Sequence, residues 1–195
     1  DMETFSGWSN WGGGSVDQSA AETFQETYSL RKYNSCDPDG GTKPLGFTLN
    51  RNGWLIEFHR LRNTADLGSC NVDRTGVEDS SDNGYSTAFN HGSDEISVDV
   101  RTGGSATNLA TSSITDILDE WYIAQLMITP DEVRTRILDT HTYDIIEQTQ
   151  ELDTTYTSFD QIAIRGGITY YVDLIKIRKY LVTEPTYIIG AETSV

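Results

Sequence analysis

Basic residues are scarce in this chain of 195 residues: 14 Lys and Arg face 30 Asp and Glu, and the formal net charge is −16. Such a field repels phosphate backbones and anionic headgroups, so neither nucleic acid nor membrane is an expected partner. No apolar run approaches the roughly 18–20 residues that a helical span needs. A signal peptide's basic and then apolar layout is also missing at the N-terminus. With Asp1 as the first residue, the sequence reads as a mature or excised segment of an extracellular or cell-surface protein. Its two cysteines, Cys36 and Cys70, lack metal-ligand spacing and sit among polar turn residues. A disulfide between them is expected, with two thiols as the alternative. The three histidines, His59, His91 and His141, lie outside any Gly-x-Ser-x-Gly or His-Glu-x-x-His context, and no glycine-rich phosphate loop precedes a helix. Serine-hydrolase, zinc-peptidase and nucleotide chemistries are thereby set aside.

What the chain has in quantity is alternation. Apolar or β-branched residues alternate with polar ones over Thr23 to Leu30, Trp54 to Leu61, Ile96 to Arg101, Trp121 to Thr129 and Val133 to Leu138. Turn clusters such as Asn52-Gly53, Asp82-Asn83-Gly84 and Thr102-Gly103-Gly104 separate these runs. Only Ser113 to Glu120, with Ile114, Ile117 and Leu118, offers helical spacing, and it is too short for a helical layer. The expected fold is all-β, an antiparallel sandwich in one domain over residues 1–195, with 184–195 as an edge strand or linker tail. Along Tyr170 to Tyr180, strict alternation puts Tyr171, Asp173, Ile175 and Ile177 on one face and Tyr170, Val172, Leu174, Lys176 and Arg178 on the other. Both faces start apolar, which predicts a central strand covered on both sides where it begins.

Several segments together resemble the concanavalin A-like, or laminin G-like, jelly-roll modules. They are Asp82-Asn83-Gly84-Tyr85, Ile96 to Gly104 with Leu109-Ala110, Glu120-Trp121-Tyr122, Phe159-Asp160-Gln161-Ile162, Tyr171 to Tyr180 and Glu184-Pro185. The likeness is good over roughly residues 80–190 and looser before, through Phe5-Ser6-Gly7-Trp8 and Gly53 to Glu57. Modules of this kind are appended to archaeal and bacterial surface proteins and to secreted glycoside hydrolases. The resemblance implies a jelly roll and, because the fold hosts many activities, speaks weakly about function. It also implies a structural calcium joining the first strand to an Asp of the last, and Glu3 and Asp173 occupy the matching positions. The alternative for Asp173 is a hydrogen-bonded buried carboxylate. Asp37 and Asp39 form a second oxygen-rich loop, which lacks the further Asp/Glu spacing of a helix-loop-helix calcium site and reads as a weaker calcium candidate or an ordinary turn.

Sugar recognition needs flat rings to stack on pyranose C–H faces and polar groups to bond hydroxyls. Trp54 and Tyr85 are the expected stacking residues; Trp54 also reads as core, and Trp8 and Trp11 as plugs for the open end of the sandwich. Glu57, His59, Asp99, Arg101 and Gln125 are the expected bonding residues, with a structural ion-pair network on a sheet face as the other reading. The Glu-x-Asp-x-x-Glu of jelly-roll glucanases is missing, and Glu57 with Asp99 is the remaining pair for hydrolysis. The expected role is non-catalytic binding of a polysaccharide that anchors an attached enzyme or surface protein. The alternatives are a structural or adhesive subunit of a surface layer, filament or virion, and a glycoside hydrolase or polysaccharide lyase.

Overall fold

A computed structural model of the chain describes residues 6–11, 15–25, 27–33, 40–62, 71–115, 117–167 and 169–180. The strands, in chain order, are β1 (Ser9–Trp11), β2 (Ser15–Ser19), β3 (Ser29–Tyr33), β4 (Gly40–Asn50), β5 (Trp54–Leu61), β6 (Val72–Glu78) and β7 (Gly84–Asn90). They continue with β8 (Glu95–Thr102), β9 (Ser105–Ser113), β10 (Tyr122–Ile128), β11 (Glu132–Asp139), β12 (Ile145–Leu152), β13 (Ser158–Gly166) and β14 (Tyr170–Lys179). They make two seven-stranded antiparallel sheets: a first in the order β1-β4-β13-β6-β7-β8-β9 and a second in the order β12-β11-β10-β5-β14-β3-β2.

The expected sandwich is present, and alternation builds it. On β5, Ile56 and Phe58 point into the space between the sheets and meet Val77, Val98 and Leu126 in one apolar cluster. Phe89, Ile96, Tyr122, Ala124 and Ile137 form a second cluster. Trp8 packs against the first cluster, as the plug reading expected; the side chain of Trp11 lies outside what is described. Gly53, at a φ of 89°, makes the tight turn into β5 that Asn52-Gly53 announced.

Two expectations about secondary structure need correcting. Thr23 to Leu30 is not a strand throughout: β3 starts at Ser29, and Phe24 and Gln25 lie in bends whose backbone N–H groups bond a side chain instead of a ladder. The stretch from Ser113 to Glu120 contains no helix among its described residues, because Ser113 ends β9 and Ile114 and Ile117 serve the second cluster as irregular chain. The expected tail at 184–195 lies outside the described residues.

A charged pair sits inside the sandwich. Arg60 continues the inward row of β5, is fully buried, and is paired with Asp73 of β6. It also donates from Nη1 to Thr75 Oγ1 at 3.2 Å, while Asp73 Oδ2 accepts from Tyr122 OH at 3.2 Å and lies 3.1 Å from His91 Nε2. The guanidinium carbon lies 5.6 and 5.5 Å from the ring centroids of Tyr122 and Tyr170. These contacts join the sheets through polar groups at a depth where an uncompensated charge is expensive. Replacing Arg60 by Ala should therefore cost about 3–5 kcal/mol in urea unfolding, and Arg60→Met with Asp73→Leu together less than the two single losses added.

Candidate functional site

The second sheet presents a face turned away from the first, and the strand registers define its rows. Gln125 of β10 stands opposite Glu57 of β5, Arg136 of β11 opposite Gln125, Gln148 of β12 opposite Arg136, and Lys176 of β14 opposite Glu57. The row thus reads Gln148, Arg136, Gln125, Glu57, Lys176 across five strands. Gln125 Nε2 donates to Glu57 Oε2 at 2.7 Å. The neighbouring row toward the β5–β14 pairing start carries Leu138, Ile123, His59 and Asp173.

Three expected bonding residues, Glu57, His59 and Gln125, are thus brought together on one face, and all three are buried. His59 is 1 % exposed, and neither ring nitrogen has a hydrogen-bond partner among the described residues. Burial and the charge of Lys176 push its pKa down to about 4, against the opposing pull of Asp173.

Asp99, Arg101 and Tyr85 are not part of this face. Asp99 and Arg101 belong to β8 in the first sheet and are both 0 % exposed. Asp99 accepts from Arg74 Nε at 2.7 Å and Ser97 Oγ at 2.6 Å; Arg101 Nε is 2.8 Å from Glu78, which also holds Arg165 at 2.6 Å. They are members of a structural ion-pair network, and Glu57 with Asp99 forms no cross-strand carboxylate pair because the two stand on different sheets. Tyr85 follows its turn directly but points inward: its ring is 0 % exposed and stacks edgewise on Phe159 at 5.7 Å. Its hydroxyl donates to Asp153 and accepts from Tyr156 N–H at 3.1 Å, and burial raises its pKa to about 12. Trp54 is half-buried against the core, and the Lys179 ammonium lies 3.9 Å from its ring centroid, so stacking there is already taken by a cation.

The aromatic wall that sequence reasoning missed is at the other end of β10. Trp121 sits just before β10, with its backbone carbonyl accepting from Thr140 Oγ1 at 3.2 Å. Phe24 crosses from the segment after β2, its ring centroid 5.8 Å from that of Trp121 and 4.6 Å from that of His59. Together with Glu120, Asp139, Thr140 and His141 they line a cavity of about 490 Å³, a size within the range of small-ligand pockets. Asp139 Oδ1 accepts from His141 N–H at 2.7 Å and Thr142 N–H at 2.8 Å, bonds that hold its pKa below the ordinary carboxylate value. A signal for Trp121 was present: it shares the parity of Ile123 and Gln125. Nothing local marked Phe24, which arrives from a segment that reads as strand. A smaller cleft of about 360 Å³, lined by Phe47, Asp160 and Gln161, lies on the first sheet.

Asp173 fixes the Phe24 wall. Its Oδ2 accepts from the N–H groups of Phe24 at 3.1 Å and Gln25 at 3.3 Å, and its Oδ1 from Leu174 N–H at 2.8 Å. Both oxygens thereby accept backbone N–H groups, the hydrogen-bonded buried carboxylate that was the alternative reading of Asp173. Among the described residues no group of three or more metal-ligating side chains occurs, and Glu3, Asp37, Asp39, Cys36 and Cys70 lie outside them.

No protein-family model matches the chain. It is 31 % identical over 182 residues to an uncharacterized protein of Methanocaldococcus jannaschii, covering 91 % of this chain and only 18 % of the length of that relative. Among solved structures, the carbohydrate-binding module CBM66 from Bacillus subtilis superposes with a TM-score of 0.66 at 10 % identity, covering 89 % of this chain and 96 % of that one. The VIP36 exoplasmic/lumenal domain in its Ca2+/Man3GlcNAc-bound form gives 0.64 at 12 % identity, covering 92 % and 87 %. A protein of unknown function from Shewanella oneidensis MR-1 gives 0.58 at 10 % identity, covering 93 % and 82 %. The fold is therefore the concanavalin A-like jelly roll that the segments resembled.

Two outcomes follow for the site's framework. Asp173→Ala should destabilise the fold by on the order of 1–3 kcal/mol and raise hydrogen exchange at Phe24 and Gln25 above that at β10. Because the folded His59 pKa, about 4, lies below the ordinary 6.5, the unfolded chain binds the proton first as pH falls. Stability then drops between pH 6.5 and 4, and the difference between wild-type and His59→Phe melting temperatures should narrow or reverse through that window.

Proposed function

We propose that the protein is a non-catalytic glycan-binding module that docks its ligand at the Trp121 pocket and along the outer face of the second sheet. The single observation that carries this reading is the pocket itself. Two aromatic rings meet there with a carboxylate oxygen, a threonine and an exposed imidazole, the mixture that sugar stacking and hydroxyl bonding require. The fold likeness supports it, since one superposing structure is a carbohydrate-binding module and another holds Man3GlcNAc. The module belongs to a longer extracellular or surface protein and raises that protein's effective concentration at a polysaccharide. The 18 % share of the Methanocaldococcus relative supports the longer chain alone. Trp121→Ala should weaken binding to the best polysaccharide of a panel by about 2 kcal/mol, roughly 30-fold, whereas Trp54→Ala leaves it nearly unchanged. Equal binding by Trp121→Ala and wild type, measured by affinity electrophoresis, contradicts the assignment of the pocket.

One observation favours the structural-subunit reading. The second sheet ends in β12, whose surroundings expose Tyr143, Ile145, Ile146 and Leu152, and an apolar edge strand is a template for assembly. The module reading predicts a monomer across a concentration series in light scattering. Concentration-dependent oligomers that Ile146→Lys dissolves would support the subunit instead.

A further inference from the structure

The placement of cations sets the outer face of the second sheet apart from the rest of this acidic chain. Seven of the 14 Lys and Arg side chains are buried. Of the seven that reach solvent, five stand by register on this one face: Arg31, Arg134, Arg136, Lys176 and Arg178. Asp17 holds Arg31 at 2.7 Å and Glu132 holds Arg134 at 2.8 Å. Arg136 donates only to the neutral Gln148, at 3.0 Å, and neither Lys176 nor Arg178 has a carboxylate in ion-pair reach among the described residues. Lys176 and Arg178 face outward because β14 bulges between Asp173 and Lys176, with Leu174 held at a φ of 44°. That is an uncommon conformation for a branched side chain. Among the described residues β3 pairs with β14 over Tyr170 to Val172, and at Lys176 and Arg178 β14 is paired with β5 alone, so their charge also protects an open strand margin.

We propose that this face binds an anionic glycan, with Arg136, Lys176 and Arg178 receiving its carboxylate or sulfate groups. The inference rests on the glycan-binding reading above and specifies its ligand class. Arg136 and Lys176 are three strand spacings apart, about 14 Å, so they address charges on separate sugars of a chain whose end enters the Trp121 pocket. Arg offers a planar pair of donors that matches a carboxylate or sulfate, and Gln148, beyond Arg136 on β12, adds an exposed amide for hydroxyls. The field of the remaining acidic surface opposes an anionic polymer elsewhere, which confines it to this face.

The test compares polygalacturonate with its fully methyl-esterified form, and dextran sulfate with dextran, by calorimetric titration at low and high salt. The proteins are wild type, Arg136→Gln/Lys176→Gln and Trp121→Ala, with melting curves confirming that each is folded. Wild type should bind a charged polymer at least about tenfold tighter than its neutral counterpart. High salt and the double variant should each close that gap; the pair that shows it distinguishes carboxylate from sulfate. Equal binding of charged and neutral polymers, with binding still lost in Trp121→Ala, overturns the anionic class and leaves the glycan-binding reading standing. Absence of binding to every glycan of the set and of the wider neutral panel overturns both.

Discussion

The site depends on one carboxylate. Asp173 collects three backbone N–H groups, two from the segment carrying Phe24 and one from Leu174 within its own strand. The first two bonds bring a distant piece of chain over His59 and against Trp121. The third accompanies the bulge that shifts the register of β14 against β5. A one-residue slip exchanges the faces of every following side chain. Beyond the bulge, Ile175 and Ile177 therefore pack on the core, while Lys176 and Arg178 turn outward. One buried charge thus shapes both the aromatic and the basic end of the same face, and ordering that segment is repaid by satisfied backbone donors.

Charge is used differently in the three layers of the molecule. Between the sheets, the Arg60 and Asp73 pair is surrounded by hydroxyl and aromatic partners. On the first sheet, Glu78 and Asp99 are occupied by Arg101, Arg165 and Arg74, leaving that face without free cations among these residues. On the outer face of the second sheet, Asp17 and Glu132 hold Arg31 and Arg134, Arg136 bonds the amide of Gln148, and Lys176 stands opposite Glu57. The chain's large negative charge therefore describes its solvated surface and says little about the one face on which its exposed basic groups are gathered.

How far the sequence could be read followed from how local each signal was. Trp54 to Leu61 is β5, and Trp121 to Thr129 and Val133 to Leu138 coincide closely with β10 and β11, because their alternation reflects one face packed on a core. The neighbourhood of Glu57 and Gln125 follows once those strands are side by side. Strict alternation failed along Tyr170 to Tyr180, where the puzzle of two apolar faces dissolves at the Leu174 bulge. Tyr85, Asp99 and Arg101 were misplaced because polar residues on a strand say nothing about whether other side chains cover them. Phe24 was missed for a third reason: its position is set by a residue 149 places along the chain.

The central claim is that ligand lies on the outer face of the second sheet. Backbone amide shifts measured by NMR during titration with oligogalacturonate test it most directly. The account predicts shifts centred on Trp121, Gln125 and Lys176 and extending to Arg136 and Phe24. Shifts confined to Phe47, Asp160 and Gln161, around the cleft on the first sheet, would contradict it.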